Sequence, residues 1–206
     1  MKSLFLASGS PRRFELLQLL QRPFTVVRPQ VEERRGTKES AHQYVTRLAE
    51  DKAKAGFALL GAPREAVVIG SDTIVVVDGD VLEKPADLND FMAMFERLSG
   101  RAHQVMTAVA VVDSEQCLTD MVTTEIHFCH ITPQQAAAYW ATQEPLDKAG
   151  GYGIQGYAGK FVEYMKGSYS AVVGLPLFET EQLLQRILGA DMAQQMSQPV
   201  ITGDKE

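Results

Sequence analysis

Cysteine is scarce in this 206-residue chain. Cys117 and Cys129 are the only two, with no CxxC pair and no paired histidine spacing. That argues against a disulfide scaffold or a zinc site and reads as two reduced, partly buried thiols. Long apolar runs are also lacking. The stretch before Gly9 and Pro11 is too short for a signal-peptide core, and no later run is long enough to span a bilayer. Positive charge is in deficit: 20 Lys and Arg face 26 Asp and Glu, leaving a net charge of −6. General binding to nucleic acid or to a membrane surface is therefore not expected. The expected address is the cytoplasm, and any anion site must be a local basic patch on an acidic body.

What is present suits one globular unit. With 45% hydrophobic and 22% charged residues, the chain has material for a sizeable core. Residues 1–189 read as a single domain of two lobes, and 190–206 as a polar, frayed tail. Strand-like runs such as "SLFLA", "FTVV" and "AVVIGSDTIVVV" alternate with helical patterns and hairpin signals such as Asp78-Gly79. The expectation is an α/β fold, a mixed twisted sheet with helices on its faces.

The first informative stretch is "SLFLASGSPRRFELL". Ser10 suits a helix N-cap, and Pro11 falls at the first helical position. Arg12 and Arg13 then stand at the positively polarised end of a helix, where free amides repel cations unless an anion lies between them. Either this is an anion site built from amides and guanidinium forks, or it is a capped surface helix with solvated arginines. A second helix, expected from Ser40 to about Gly61, carries a stripe of Val45, Leu48, Ala49 and Ala53. Lys52 lies at i+4 from Leu48 and so points with the stripe. It either snorkels to solvent or reaches into a cleft.

In "IGSDTIVVV" an acid, Asp72, breaks an apolar strand. Unpaired burial would cost it several kcal/mol, on the order of that of other buried charges. Metal ligation, general-base work, a buried ion pair or a structural role each account for it. Gly70 and Ser71 suggest a bulge or strand end. Lys84, held extended before Pro85, has a defined direction. "GYGIQG" matches GxGxxG in form but neither follows a strand nor opens a helix, so it is not a dinucleotide fingerprint. Its glycines instead permit close approach of backbone to a ligand, with Gln155 as the polar reader. The amphipathic "LNDFMAMFERL" is expected to bury Leu88, Phe91, Met92, Phe95 and Leu98, and His103 reads as structural. One lone acid, four cations on three segments, a helix N-terminus and a Gly-rich loop suit a polyphosphate ester.

The ordered series "LASGSPRR", "GSDTIV", "EKP", "LSGRAHQVMTAV", "EPLDKAGGYGIQG" and "GSYSAVVGLPL" resembles the motifs of the Maf family of nucleotide pyrophosphatases, from about Leu4 to Leu188. The resemblance implies a fold like that of inosine triphosphate pyrophosphatases, with a cleft between two lobes and a homodimer. It also implies hydrolysis of a nucleoside triphosphate to the monophosphate and pyrophosphate with a divalent cation, magnesium or manganese. On this basis Asp72 resembles the catalytic acid–base and metal residue, and Ser8, Arg13, Lys52 and Lys84 the phosphate-contacting set. Glu33, of the pair Glu32-Glu33 where the family often has Asp-Glu, resembles a metal position. Arg12, Thr73 and Gln155 resemble the branch acting on dTTP and UTP rather than the one acting on 7-methyl-GTP. A second reading is a nucleotide-binding regulator of cell division with little turnover.

Overall fold

The computed structural model describes residues 2–189; the expected tail, 190–206, lies outside the described residues. Seven strands form one mixed sheet: β1 (Ser3–Ala7), β2 (Phe24–Val27), β3 (Ala66–Val77), β4 (Asp80–Leu82), β5 (Ala102–Val112), β6 (Cys117–Phe128) and β7 (Val162–Lys166). Their order is β2-β1-β3-β5-β6-β7, with β4 added to β3. β1 runs parallel to both β2 and β3, and every other pairing is antiparallel. Six helices cover the sheet: α1 (Pro11–Gln18), α2 (Ala41–Leu59), α3 (Leu88–Leu98), α4 (Pro133–Trp140), α5 (Tyr169–Val173) and α6 (Leu177–Leu188). The expected mixed α/β sheet with flanking helices is what forms.

Local chemistry sets the helix ends. Ser10 caps α1 by accepting from the Arg13 amide, and Ser40 and Gln43 form a reciprocal capping box on α2. α3 stops before Gly100, which takes φ +68°. Its buried face is Phe91, Met94, Phe95 and Leu98. Leu88 is exposed and Met92 only half-buried, against expectation. The face is centred on the Phe91–Phe95–Leu98 row, and Met94, three residues after Phe91, joins it. β6 starts at Cys117, close behind β5, because Asp113 Oδ1 accepts from the Glu115 and Gln116 amides at 2.9 Å and makes the hairpin turn tight. The short α5 has too few residues to carry a periodic signal.

Three apolar clusters hold the layers together. α1 and α6 pack on the first half of β3 and the end of β5 through Leu16, Leu17, Val67, Ile69, Val109, Val111 and Leu184. α3 and α4 pack on the second half of β3 and the start of β5 through Phe91, Phe95, Val75, Val105 and Tyr139. α2 covers the opposite face through Val45, Leu48, Ala49 and Ala53 against Ile74, Val76, Ala108 and Ala110.

Neither the bulge nor the strand end expected at Gly70-Ser71 forms. β3 pairs with β5 without interruption from Val68 to Val76. Gly70 is required for another reason: a Cβ there would lie 2.4 Å from both Ala49 O and Ala53 N, so α2 rests directly on the strand backbone. The other edge of β3 is divided. β1 pairs with it as far as Ile69, and β4 only from Val75. Between them, residues 70–74 have no strand neighbour on that edge.

Candidate active site

A cleft of about 970 Å³ opens at this gap, where β1 and β2 end and the hairpin of β3 and β4 begins. Side chains alternate along β3, so adjacent residues enter the cleft from opposite faces of the sheet. Asp72 points toward α2 and Thr73 toward α1 and α5.

On the α2 side, the Lys52 ammonium is shared between two carboxylates. It lies 2.6 Å from Asp72 Oδ1 and 2.6 Å from Glu33 Oε1. Both Lys52 and Asp72 are largely buried, so the lysine reaches into the cleft rather than snorkelling. Lys84 stands 3.5 Å from Glu33 Oε2 and is more than half exposed. Burial alone would raise the Glu33 carboxyl, but hydrogen bonds and charge from Lys52 and Lys84 outweigh it and hold it below its usual range.

On the opposite side, Arg13 Nε donates to Gly174 O at 2.8 Å and Nη2 to Thr73 Oγ1 at 3.4 Å. Burial lowers the Arg13 pKa, against the opposing pull of Asp72 and Glu33. Thr73 Oγ1 also lies 3.1 Å from Thr107 Oγ1, which donates to Ala171 O at 2.6 Å. Ser71 Oγ donates to Ala108 O and Gly174 O, tying the end of α5 to the sheet. Ser8, at the exit of β1, is almost fully buried and accepts from the Ser10 amide at 3.1 Å. At the cleft mouth Arg12 lies 3.5 Å from Asp147, on the Gly-rich segment. Gln155 lines the cleft from that same segment with its side chain exposed.

All the residues singled out in the sequence, namely Ser8, Arg12, Arg13, Glu33, Lys52, Asp72, Thr73, Lys84 and Gln155, thus line one cleft. Glu83 and Tyr44 also line it but were not foreseen. Burial raises the Glu83 carboxyl and the charges of Asp72 and Glu33 add to this, against the Tyr44 hydroxyl that faces it. Burial likewise raises the Tyr44 phenol, and the charge of Glu83 adds. Tyr44, Leu48 and Lys52 are spaced by four, and that row was the available signal for Tyr44. Tyr152 lines the cleft with its hydroxyl 2.6 Å from His103 Nε2 behind the wall, so His103 serves the scaffold as expected.

The arrangement has room, cations on both sides of a divided strand edge, and a carboxylate at its floor. That is the equipment for binding a polyphosphate and activating a nucleophile beside it.

Residues 3–187 match the family model described as Maf-like protein. A dTTP/UTP pyrophosphatase of Salmonella typhimurium is 56% identical over 184 residues, spanning 89% of this chain and 92% of that one. Its counterpart in Vibrio parahaemolyticus is 55% identical over 186 residues, spanning 90% and 97%. The Staphylococcus aureus Ham1 protein overlays with a TM-score of 0.48 at 14% identity, covering 95% of this chain and 97% of that one. From the family match, and from identities above half over nearly the whole chain, this protein belongs to the Maf family.

Proposed function

We propose that this chain is a nucleoside triphosphate pyrophosphatase that hydrolyses dTTP and UTP, and modified pyrimidine nucleotides of the same shape, to the monophosphate and pyrophosphate. The carrying observation is the Asp72 carboxylate, 2.6 Å from Lys52, at the unpaired stretch of β3 in a cleft that Arg13 and Thr73 enter from the other face. The names of the relatives support the same reading. In this proposal residues 1–189 act as one unit, in a homodimer and in the cytoplasm. Among the described residues no helix is long and apolar enough to cross a membrane.

The triphosphate meets the N-terminus of α1, Ser8, Arg13, Lys52 and Lys84, which replace its hydration with fixed donors. Asp72 holds a water in line with the α-phosphorus and accepts its proton as the phosphorus–oxygen bond to pyrophosphate breaks. Gln155 reads the base. Its amide donates to a uracil or thymine carbonyl and accepts from N3–H. Thymine and uracil differ by one methyl, which discriminates weakly, so both are substrates.

Asp72 and Glu33 fit a magnesium or manganese ion: they are hard oxygen donors and already hold one compact positive charge, that of Lys52, between them. Among the described residues no group of three or more His, Cys, Asp or Glu could hold a metal. Phosphate oxygens and water would complete the coordination, as magnesium favours. When bound, such a cation neutralises charge on the phosphate oxygens.

The test is hydrolysis of a nucleotide panel with magnesium or manganese, and with a chelator, resolving products by chromatography. Wild type should release pyrophosphate from dTTP and UTP. Asp72→Asn should lose about 10²–10⁴-fold in turnover while still binding nucleotide. Near-normal turnover in Asp72→Asn would remove it as the base. Binding without turnover in the wild type would refute hydrolysis and favour a nucleotide-binding regulator.

A further inference from the structure

The residue that reads the base lies on an irregular segment, and an irregular segment does not by itself hold a side chain to the tolerance that base discrimination needs. Gln155 sits between Gly153 and Tyr157, and both flanking amides are anchored. The Tyr157 amide donates to Glu144 Oε2 at 3.0 Å. The Gly153 amide donates to the Tyr139 hydroxyl at 3.4 Å, and that hydroxyl donates to Glu144 Oε1 at 2.8 Å. Both anchors therefore end on one carboxylate.

Packing around that carboxylate is just as closely fitted. A Cβ at Gly156 would lie 2.2 Å from Glu144 Oε1 and 2.4 Å from Oε2, so a larger residue there would displace the carboxylate from its present place under the segment. The Tyr157 ring stacks on the Tyr139 ring at 5.4 Å and 6°. Tyr139 is fully buried in the cluster beneath α3 and α4, which makes it a fixed post. Burial, reinforced by the Glu144 acceptor, raises its phenol, so it stays a donor. The segment has one more tie: Lys148 Nζ donates to the Glu144 carbonyl at 2.7 Å.

We infer that Glu144 is a positioning residue for base selection: with Tyr139 it clamps Gly153–Tyr157 and so fixes the direction of Gln155. The inference rests on the reading of this cleft as a pyrimidine nucleotide site. A carboxylate suits the task because it accepts from two donors at once. A glutamine has one acceptor oxygen for these two donors. Kept on the Tyr157 amide, it turns its NH₂ toward the Tyr139 hydroxyl, which loses its acceptor and must receive from both that NH₂ and the Gly153 amide, so this anchor weakens.

The experiment compares kcat/KM for UTP and CTP, which share sugar and phosphates and differ only on the pairing edge of the base. It uses wild type, Glu144→Gln, Gln155→Ala and the double variant. Glu144→Gln should lower the UTP:CTP ratio at least about fivefold. In the Gln155→Ala background it should lower the ratio no further, because the side chain it aims is gone. An unchanged ratio in Glu144→Gln, or an equal drop in both backgrounds, overturns the inference. Should Glu144→Gln not fold, Tyr139→Phe keeps the ring stack, removes only the hydroxyl, and faces the same two criteria. A wild type that hydrolyses UTP and CTP alike overturns the inference, and with it Gln155 as the reader of the base, but leaves the hydrolase reading standing. A wild type that hydrolyses neither UTP nor dTTP overturns the hydrolase reading and the inference with it.

Discussion

Replacing Gly70 with alanine tests the contact that joins Lys52 to Asp72. The added Cβ would sit 2.4 Å from Ala49 O, 2.4 Å from Ala53 N and 3.0 Å from Ala53 Cα. Ordinary contacts begin near about 3.5 Å, so α2 and β3 must part by roughly 1 Å. Every obstacle is main chain in the middle of α2, and no rotamer change can relieve it. Overpacking of this kind costs about 1–3 kcal/mol, and a rigid obstacle belongs at the upper end. Lower chain entropy in the unfolded state returns about 0.4–1 kcal/mol, leaving a net loss of about 2 kcal/mol. Activity should fall further than stability explains. Lys52 is bonded in sequence to Ala53 and, in the proposed reading, positions the phosphates, where a shift of roughly 1 Å costs on the order of 10²-fold. Urea denaturation and kcat/KM for UTP would be measured on Gly70→Ala beside Gly36→Ala, whose nearest neighbours stand 3.6 Å away. A Gly70→Ala protein within about 0.5 kcal/mol of wild type, with unimpaired turnover, would refute the argument.

Two further expectations use other parts of the molecule. Burial, with smaller contributions from His127 and Arg101, depresses the His103 pKa from 6.5 to about 4. The unfolded chain therefore binds the extra proton first as pH falls, and stability drops between pH 6.5 and 4 by about 3 kcal/mol. Glu83, whose carboxyl is raised, works in the opposite sense over its own range, so the test is a difference: urea midpoints of His103→Gln and wild type should converge as pH falls, and parallel curves would refute it. Gln155→Glu should reduce kcat/KM for UTP and dTTP at least about tenfold with little change in the urea midpoint, because Gln155 is exposed. An unchanged preference between UTP and GTP would mean that the base is read elsewhere.

The sequence made some of this site legible and hid the rest for physical reasons. Lys52 and Asp72 could be read because each breaks a periodic apolar pattern, and a charge inside such a pattern needs a partner. Here each is the other's partner. Ser10 and Pro11 could be read because helix caps are local chemistry. Gly70 was misread because a bulge and a close helix approach both call for glycine, and only the position of α2 decides between them. Glu83 stayed hidden because an acid beside a lysine at a hairpin exit looks solvated. Glu144 carries no local signature at all. Its role depends on a phenol five residues before it and an amide thirteen residues after it, brought together by three short 3₁₀ turns.

The two apolar clusters on the α1 and α3 sides of the cleft share strands, with Val67 and Val75 on β3, and Val105 and Val109 on β5. The cleft therefore has no hinge segment at its floor. Opening or closing it has to flex two long hydrogen-bonded strands, much as a leaf spring bends. Asp72, paired with Ala108 near the middle of both strands, stands at the fulcrum of that spring. The cations on α1 and α2 and the loop bearing Gln155 lie out on its arms. In the proposed reading, any movement of these walls around a nucleotide would be largest on the arms and smallest at the Asp72 carboxylate.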